Sequence, residues 1–404
     1  MLSNGALSGL RIIEGSAFVA APLGGLLMAQ LGAEVIRFDQ LNGGLDFGRW
    51  PVTPSGESLF WHGLNRGKKS IQIDINSVEG KKIASDLVTA DGEDGGIFLT
   101  NFPTKDWLSY QALSQKRPDL IMVSLVGNYD GSSEVDYTVN PALGYPSITG
   151  PNELDSPVNS VLPTWDLLLG SMAAIAILAA ERKRRLTGVG EFITIALSDV
   201  GLFAAGALGK LAQAHLGQEE IKKDGNYLYG AFGHNFSTRD RKEIMIVCLT
   251  TRQWQNLVRA TGLEQAIADL SQLHKLDLNK EGNRYLIRQS LREIFGQWVG
   301  NQSYATITKI FSENKVSWGP YQSFNELLSN DKRASTHNPI FSMASQPGIG
   351  IIPNVDTPIR FQNVDNCSFP TSPSLGGNTI SILKEILNFT DVEIANLLEK
   401  GIVA

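Results

Sequence analysis

Cysteine is nearly absent from this sequence. Of 404 residues only two are cysteines, Cys248 and Cys367. They lie far apart and make neither a disulfide framework nor a metal-ligand spacing, which points to a reducing, cytoplasmic setting. Histidine is scarce too: there are five, none in HxH or HExxH spacing, so the usual zinc-hydrolase signature is missing. Positive charge is not in excess. The net charge of -6 argues against nucleic acid or an anionic membrane as partner, though not against a local basic pocket. No apolar run is long enough to span a membrane, since the longest, Leu167 to Ala180, is interrupted by Gly170 and Ser171. Met1 to Gly9 lacks a basic stretch followed by an apolar one, so no secretory signal is expected. No GxGxxG follows a strand-like segment, which removes the fingerprint of a dinucleotide-dependent dehydrogenase.

What remains is an ordinary globular composition, 42% hydrophobic and 19% charged, in a chain long enough for two domains. The first half alternates β-branched runs with helical ones. Leu10–Glu14, Glu34–Phe38, Ile71–Ile75, Gly96–Asn101, Leu120–Val126 and Phe192–Leu197 read as strands, with helices over Phe18–Leu31 and Val78–Thr89. That rhythm predicts an α/β fold with a doubly wound parallel sheet. Gln213–Asn226 is polar and reads as a linker. Glu243–Leu249 reads as a strand, followed by helices over Thr251–Gly262, Arg284–Trp298 and Tyr304–Asn314, a smaller α/β domain. From about residue 335 the chain is rich in Pro, Ser, Asn and Gly, with few regular elements expected. Thr390-Asp391-Val392-Glu393 is a capping box opening a last helix. The expected division is 1–205 for the large domain, 206–224 for a linker, 225–325 for the small domain and 326–404 for a return to the large one.

Each candidate site residue has a structural reading beside its functional one. Gly15 to Pro22 follows the first strand and opens a helix, where backbone N–H groups meet phosphates in doubly wound folds; otherwise it is a tight turn of small residues. Asn65-Arg66-Gly67-Lys68-Lys69-Ser70 is a phosphate site or a solvated loop. Glu181 to Arg185 complements the negative end of a helix, and Gly188 ends it. Tyr137 and Tyr145 stand in a loop after a strand and are ligand contacts or packing aromatics. Asp166, at the head of the long apolar stretch, is a helix cap or a nucleophile. As a nucleophile it needs no activating base, because a carboxylate is already ionised at neutral pH.

Taken in order, these segments resemble the class III CoA-transferase family. The likeness is carried by Leu7 to Glu14, Ala20-Ala21-Pro22, Ala29 to Arg37, Lys68-Lys69-Ser70-Ile71 and Asn101-Phe102-Pro103. Asp166, Arg184-Arg185-Leu186-Thr187-Gly188-x-Gly190 and Asp199 follow. Asp136 to Gly144 and Gly225 to Gly233 are similar to a branch of that family whose members shift CoA between the two carboxyl groups of one dicarboxylate.

The resemblance implies a Rossmann-like large domain built from both chain ends, a small domain, and an interlocked homodimer. It implies Asp166 as the catalytic aspartate, with Val19, Ala20, Arg37, Lys68, Asn101 and Phe102 at the CoA contacts. Lys105 is the cation nearest to the position where transferases often carry an arginine. Tyr137 stands where the family's racemases place a catalytic histidine, which favours acyl exchange over proton abstraction. CoA enters as part of the substrate, with no prosthetic group or metal. A cation facing the substrate's free carboxyl is expected on chemical grounds, with Arg49 and His234 as candidates. The alternatives are an intermolecular transferase using succinyl-CoA and a dicarboxylate, and a nucleotide-binding Rossmann protein without catalysis.

Overall fold

The structure is a computed structural model, and it describes residues 5–217, 221–362 and 369–404. Cys367 lies outside the described residues. The chain forms two compact units. Unit 1 comprises residues 1–143, 160–218 and 332–404, and unit 2 comprises 144–159 and 219–331.

Unit 1 is built on six strands: β1 (Arg11–Gly15), β2 (Glu34–Asp39), β3 (Lys69–Gln72), β4 (Ile97–Thr100), β5 (Ile121–Val126) and β6 (Glu191–Ala196). All neighbours pair in parallel, in the order β3-β2-β1-β4-β5-β6. The chain order reverses between β1 and β4, and in open parallel sheets the crevice at such a point, beyond the carboxyl ends of the strands, receives the ligand. The strands are almost wholly apolar where they are covered on both faces, as Ile97-Phe98-Leu99 and Ile121 to Val123 are.

The helices of unit 1 are α1 (Ala20–Gln30), α2 (Leu59–Leu64), α3 (Val78–Val88), α4 (Tyr110–Lys116), α5 (Asp136–Ala142), α6 (Thr164–Thr187), α7 (Leu197–Ala207) and α8 (Lys210–His215). Helix α1 packs closely along α6, and α6 lies on β5. The contact depends on small residues: a Cβ on Gly170 would come within 2.6 Å of the Ala20 carbonyl oxygen. The opposite core joins Ile13, Ile36, Phe38 and Ile71 of the sheet to Ile83 and Leu87 of α3 and to Ile382, Leu383, Ile394 and Leu397 near the C-terminus.

Helix α6 extends beyond the apolar run read from sequence. Its 24 residues are long and apolar enough to cross a membrane by length and composition. One face of it packs on α1 and β5, while Ile175 is 65% exposed. The basic residues at its end serve the structure. Arg184 is buried and donates to the Gly95 and Gly96 carbonyls, and Gly188 closes the helix with φ 71°.

Unit 2 holds an antiparallel sheet of β7 (Phe232–Ser237), β8 (Glu243–Cys248) and β9 (Trp318–Pro320). Against it pack helices α9 (Thr251–Thr261), α10 (Glu264–His274), α11 (Glu281–Leu286), α12 (Arg288–Gly300) and α13 (Tyr304–Glu313), with α14 (Phe324–Asn330) following β9. The single helix expected over Arg284–Trp298 is two, because the chain leaves helical geometry at Ile287.

The C-terminal stretch is more regular than its composition suggests. It forms an antiparallel hairpin, β10 (Phe341–Gln346) with β11 (Gly350–Val355), then α15 (Thr379–Glu385) and α16 (Asp391–Glu399). The Thr390 capping box opens α16 as expected. Val403 bridges Ile73, so this segment covers the outer edge of the parallel sheet beside β3.

Candidate active site

Asp166 is the third residue of α6, and its carboxylate caps nothing. The cap is supplied from another helix. Asp136, the first residue of α5, accepts the N–H groups of Trp165 at 2.7 Å and Asp166 at 3.1 Å through one carboxylate oxygen. Trp165 is fixed further by its indole N–H, which donates to Asn140. Asp166 is therefore not needed as a cap and is left half-buried, its carboxylate without a hydrogen bond or ion pair among the described residues.

The electrostatics of that carboxylate are unusual for an aspartate. Burial raises its pKa from 3.8 to about 6, the negative charge of Asp136 adds to the rise, and Arg49 opposes it. Asp166 is thus mostly ionised at neutral pH, but its charge is poorly compensated. That is the condition of a reactive carboxylate rather than of a structural ion pair.

Arg49 comes from the loop between β2 and α2. Its guanidinium lies over the rings of Phe18, 5.5 Å from the centroid, and Phe60, at 5.2 Å. The side chain is exposed and forms no ion pair or hydrogen bond among the described residues, so its donors remain available to an anion. Of the two cations considered from sequence, Arg49 acts on Asp166, whereas His234 belongs to unit 2.

The turn between β1 and α1 closes the other side of this region. Asn101, just past β4, holds it across the switch point: its amide oxygen accepts the Ala17 N–H at 3.0 Å, and its amide nitrogen donates to the Ala17 carbonyl at 2.8 Å. Val19 and Ala20 are buried at the start of α1, which no side chain caps. Phe102 turns its ring toward the core, edge-on to Phe38. Lys105 is exposed, just before a short 3-10 turn.

Arg37 and Lys68 face inward rather than toward solvent. Arg37 is fully buried, held by Asp39 at 2.9 Å and Asp46 at 2.8 Å. Lys68 donates to Glu14, to the Pro22 carbonyl and to Asn65, each within 3.0 Å. Burial pushes its ammonium down to about 8 against the pull of Glu14. The cations of the 65–70 loop are engaged within the fold: Lys68 points into the core, Lys69 pairs with Glu34, and Arg66 bonds Asn354. Of the three, Lys68 satisfies a carboxylate buried on a strand, Glu14 of β1.

Tyr137 is on α5, a short helix where a loop was expected, and its hydroxyl donates to the Val161 carbonyl at 3.4 Å. Tyr145 lies in unit 2. Sequence reasoning missed Asp136, Asp46, Phe18 and Phe60. Asp136 stands in the stretch that carries the family likeness, but a cap supplied from about thirty residues away has no local signature.

The model of CoA-transferase family III matches residues 7–379. The chain is 48% identical over 402 residues to the 2-methylfumaryl-CoA isomerase of Chloroflexus aurantiacus, covering 99% of this chain and 98% of that one. It is 27% identical to the succinyl-CoA–L-malate CoA-transferase alpha subunit of the same organism, covering 98% of this chain and 92% of the relative. A CAIB/BAIF family protein from Brucella suis shares the fold, with a TM-score of 0.76 and 24% identity over 95% of this chain and all of the other. The family match spans the switch-point turn, Asn101 and Asp166 alike, and the chain belongs to CoA-transferase family III.

Proposed function

We propose that this protein moves CoA between the two carboxyl groups of one branched unsaturated dicarboxylate, interconverting 2-methylfumaryl-CoA and 3-methylfumaryl-CoA. The observation that carries the reading is the Asp166 carboxylate, which feels the charge of Arg49 and forms no hydrogen bond or ion pair among the described residues, in a chain 48% identical over nearly its whole length to an isomerase of that name.

Asp166 attacks the C1 thioester carbonyl and expels CoA thiolate, leaving a mixed anhydride. The thiolate attacks the aspartyl carbonyl of that anhydride, giving an aspartyl-CoA thioester and a free C1 carboxylate. The C4 carboxylate then attacks the aspartyl thioester and again releases the thiolate, which returns to the C4 acyl carbon and frees Asp166. Every step exchanges one acyl group for another and needs no proton donor. Arg49 holds the substrate's free carboxylate, and the uncapped N–H groups at the start of α1 face the developing oxyanions. Retaining the diacid beside the aspartyl thioester gives a high effective concentration for the return step.

CoA itself lies along the switch-point crevice, against Val19, Ala20, Asn101, Phe102 and Lys105, with Tyr137 at the acyl end. Arg37 and Lys68 act from beneath, by holding the strands and the turn that form the crevice. CoA is substrate, with no prosthetic group or metal, and the protein works as a cytoplasmic homodimer.

The test is Asp166→Ala. Turnover should fall by at least about 10⁴-fold, the order seen when a covalent nucleophile is removed, while CoA binding persists. Near-wild-type turnover would remove Asp166 from the reaction. An intermolecular transfer from succinyl-CoA is the second reading, supported by the likeness to the succinyl-CoA–L-malate enzyme. It uses the same Asp166 chemistry with a second acid in place of the retained one.

A further inference from the structure

The turn between β1 and α1 is held residue by residue. Ser16 donates to Glu14, Asn101 takes both backbone groups of Ala17, and Asp46 accepts the Phe18 N–H at 3.0 Å. Asp46 is fully buried, and its other oxygen accepts from Arg37 at 2.8 Å. Arg37 in turn is fixed by Asp39 and Asn65. Asp46 thus joins a buried charge network to one backbone N–H, and that N–H belongs to a strained residue. Phe18 has φ 68°, a left-handed conformation that bulky side chains rarely adopt. The conformation presents the Phe18 ring, 40% exposed, to Arg49. Phe60 stacks on Arg49 as well, so the planar cation rests on two aromatic rings while its N–H groups remain available.

We infer that Asp46 is a positioning residue for the reaction. By fixing Phe18 in its left-handed conformation, it sets the aromatic support on which Arg49 meets the substrate's free carboxylate beside Asp166. The inference rests on the reading of Asp166 and Arg49 proposed above. It requires no contact between Asp46 and substrate.

The experiment compares Asp46→Asn, Phe18→Gly and Arg49→Gln in the full chain, with 2-methylfumaryl-CoA as substrate. It reads kcat, KM and the acid limb of kcat/KM against pH. Among the described residues, the charges acting on Asp166 are Asp136, from α5, and Arg49, from the loop. None of the three variants alters Asp136, so a moved limb reports Arg49. Arg49→Gln should raise KM and move the limb to higher pH, because the one charge that lowers the Asp166 pKa is gone. Asp46→Asn and Phe18→Gly should move both in the same direction and lower kcat/KM on the order of 10- to 100-fold, the scale of a small misplacement. Phe18→Gly is informative because glycine adopts the left-handed conformation without strain, so it keeps the turn and deletes only the ring. It also decides the matter if Asp46→Asn fails to fold.

If Arg49→Gln changes KM and the limb while Asp46→Asn and Phe18→Gly behave as wild type, the positioning role is overturned and the proposed reaction stands. If Arg49→Gln itself leaves KM and the limb unchanged, the reading of Arg49 fails, and the positioning role with it.

Discussion

Asp166 is a carboxylate held where the fold favours its neutral form. Its folded pKa of about 6 lies above the ordinary 3.8, so neutral Asp166 contributes stability that is fully present below 3.8. That stability is lost as pH rises through 6. Two outcomes follow with opposite signs. The proposed reaction uses the ionised form, so kcat/KM should fall as pH drops through about 6; a profile flat to pH 4.5 in folded protein would contradict the assignment. Stability at neutral pH should rise when the charge is removed. The full shift corresponds to at most roughly 3 kcal/mol. Because the group is only half-buried, Asp166→Asn should gain on the order of 1 kcal/mol, read from denaturant midpoints at pH 7.5. The gain should disappear near pH 4, where the wild-type group is also neutral. From spacing alone this residue carried two roles, cap and nucleophile, and the family resemblance pointed to the second. Asp136 takes over the capping and raises the Asp166 pKa by its charge.

At the scale of elements, the α1–α6 contact decides where Asp166 sits. Gly170 lies one turn beyond it, against the Ala20 carbonyl. Gly170→Ala should cost about 1–3 kcal/mol by overpacking, measured by chemical denaturation, and should lower kcat by displacing the start of α6. An unchanged midpoint would mean that the helices separate without penalty. Asp136→Ala removes the cap, for about 1 kcal/mol. It should also move the acid limb of kcat/KM to lower pH, opposite to Arg49→Gln, because a like charge beside Asp166 is gone. The long elements were legible because their patterns are local: five of the six strands, α1 and α3 follow apolar runs and helical periodicity, and Thr390 marks α16, whereas β3, expected over Ile71–Ile75, runs over Lys69–Gln72. The hairpin at 341–355, the short helix carrying Tyr137 and the break at Ile287 were not. Their residues alternate weakly, and tertiary packing fixes them.

At the scale of the molecule, the doubly wound sheet and its switch point follow from the βαβ rhythm and place the turn, Asn101 and the start of α1 at one crevice. The fate of the charges could not be read the same way. Arg37 and Lys68 look like ligand contacts in sequence but are bound by Glu14, Asp39 and Asp46, and which carboxylates a fold buries depends on residues distant in the chain. The proposed dimer would cover apolar side chains that a lone chain exposes: Leu202, Phe203, Leu208 and Leu211, along α7 and into α8, are each at least 45% exposed. Sedimentation should give twice the chain mass, with Phe203→Glu shifting it toward the monomer; a wild-type monomer at micromolar concentration would refute the dimer.

The central claim is that CoA returns to the same diacid it left. Its most direct test is to supply the purified protein with 2-methylfumaryl-CoA together with an excess of isotopically labelled free mesaconate, and to weigh the product thioester by mass spectrometry. The account predicts 3-methylfumaryl-CoA without label, formed at the same rate when no free acid is added. Labelled product, or no product until an acid is supplied, would contradict it.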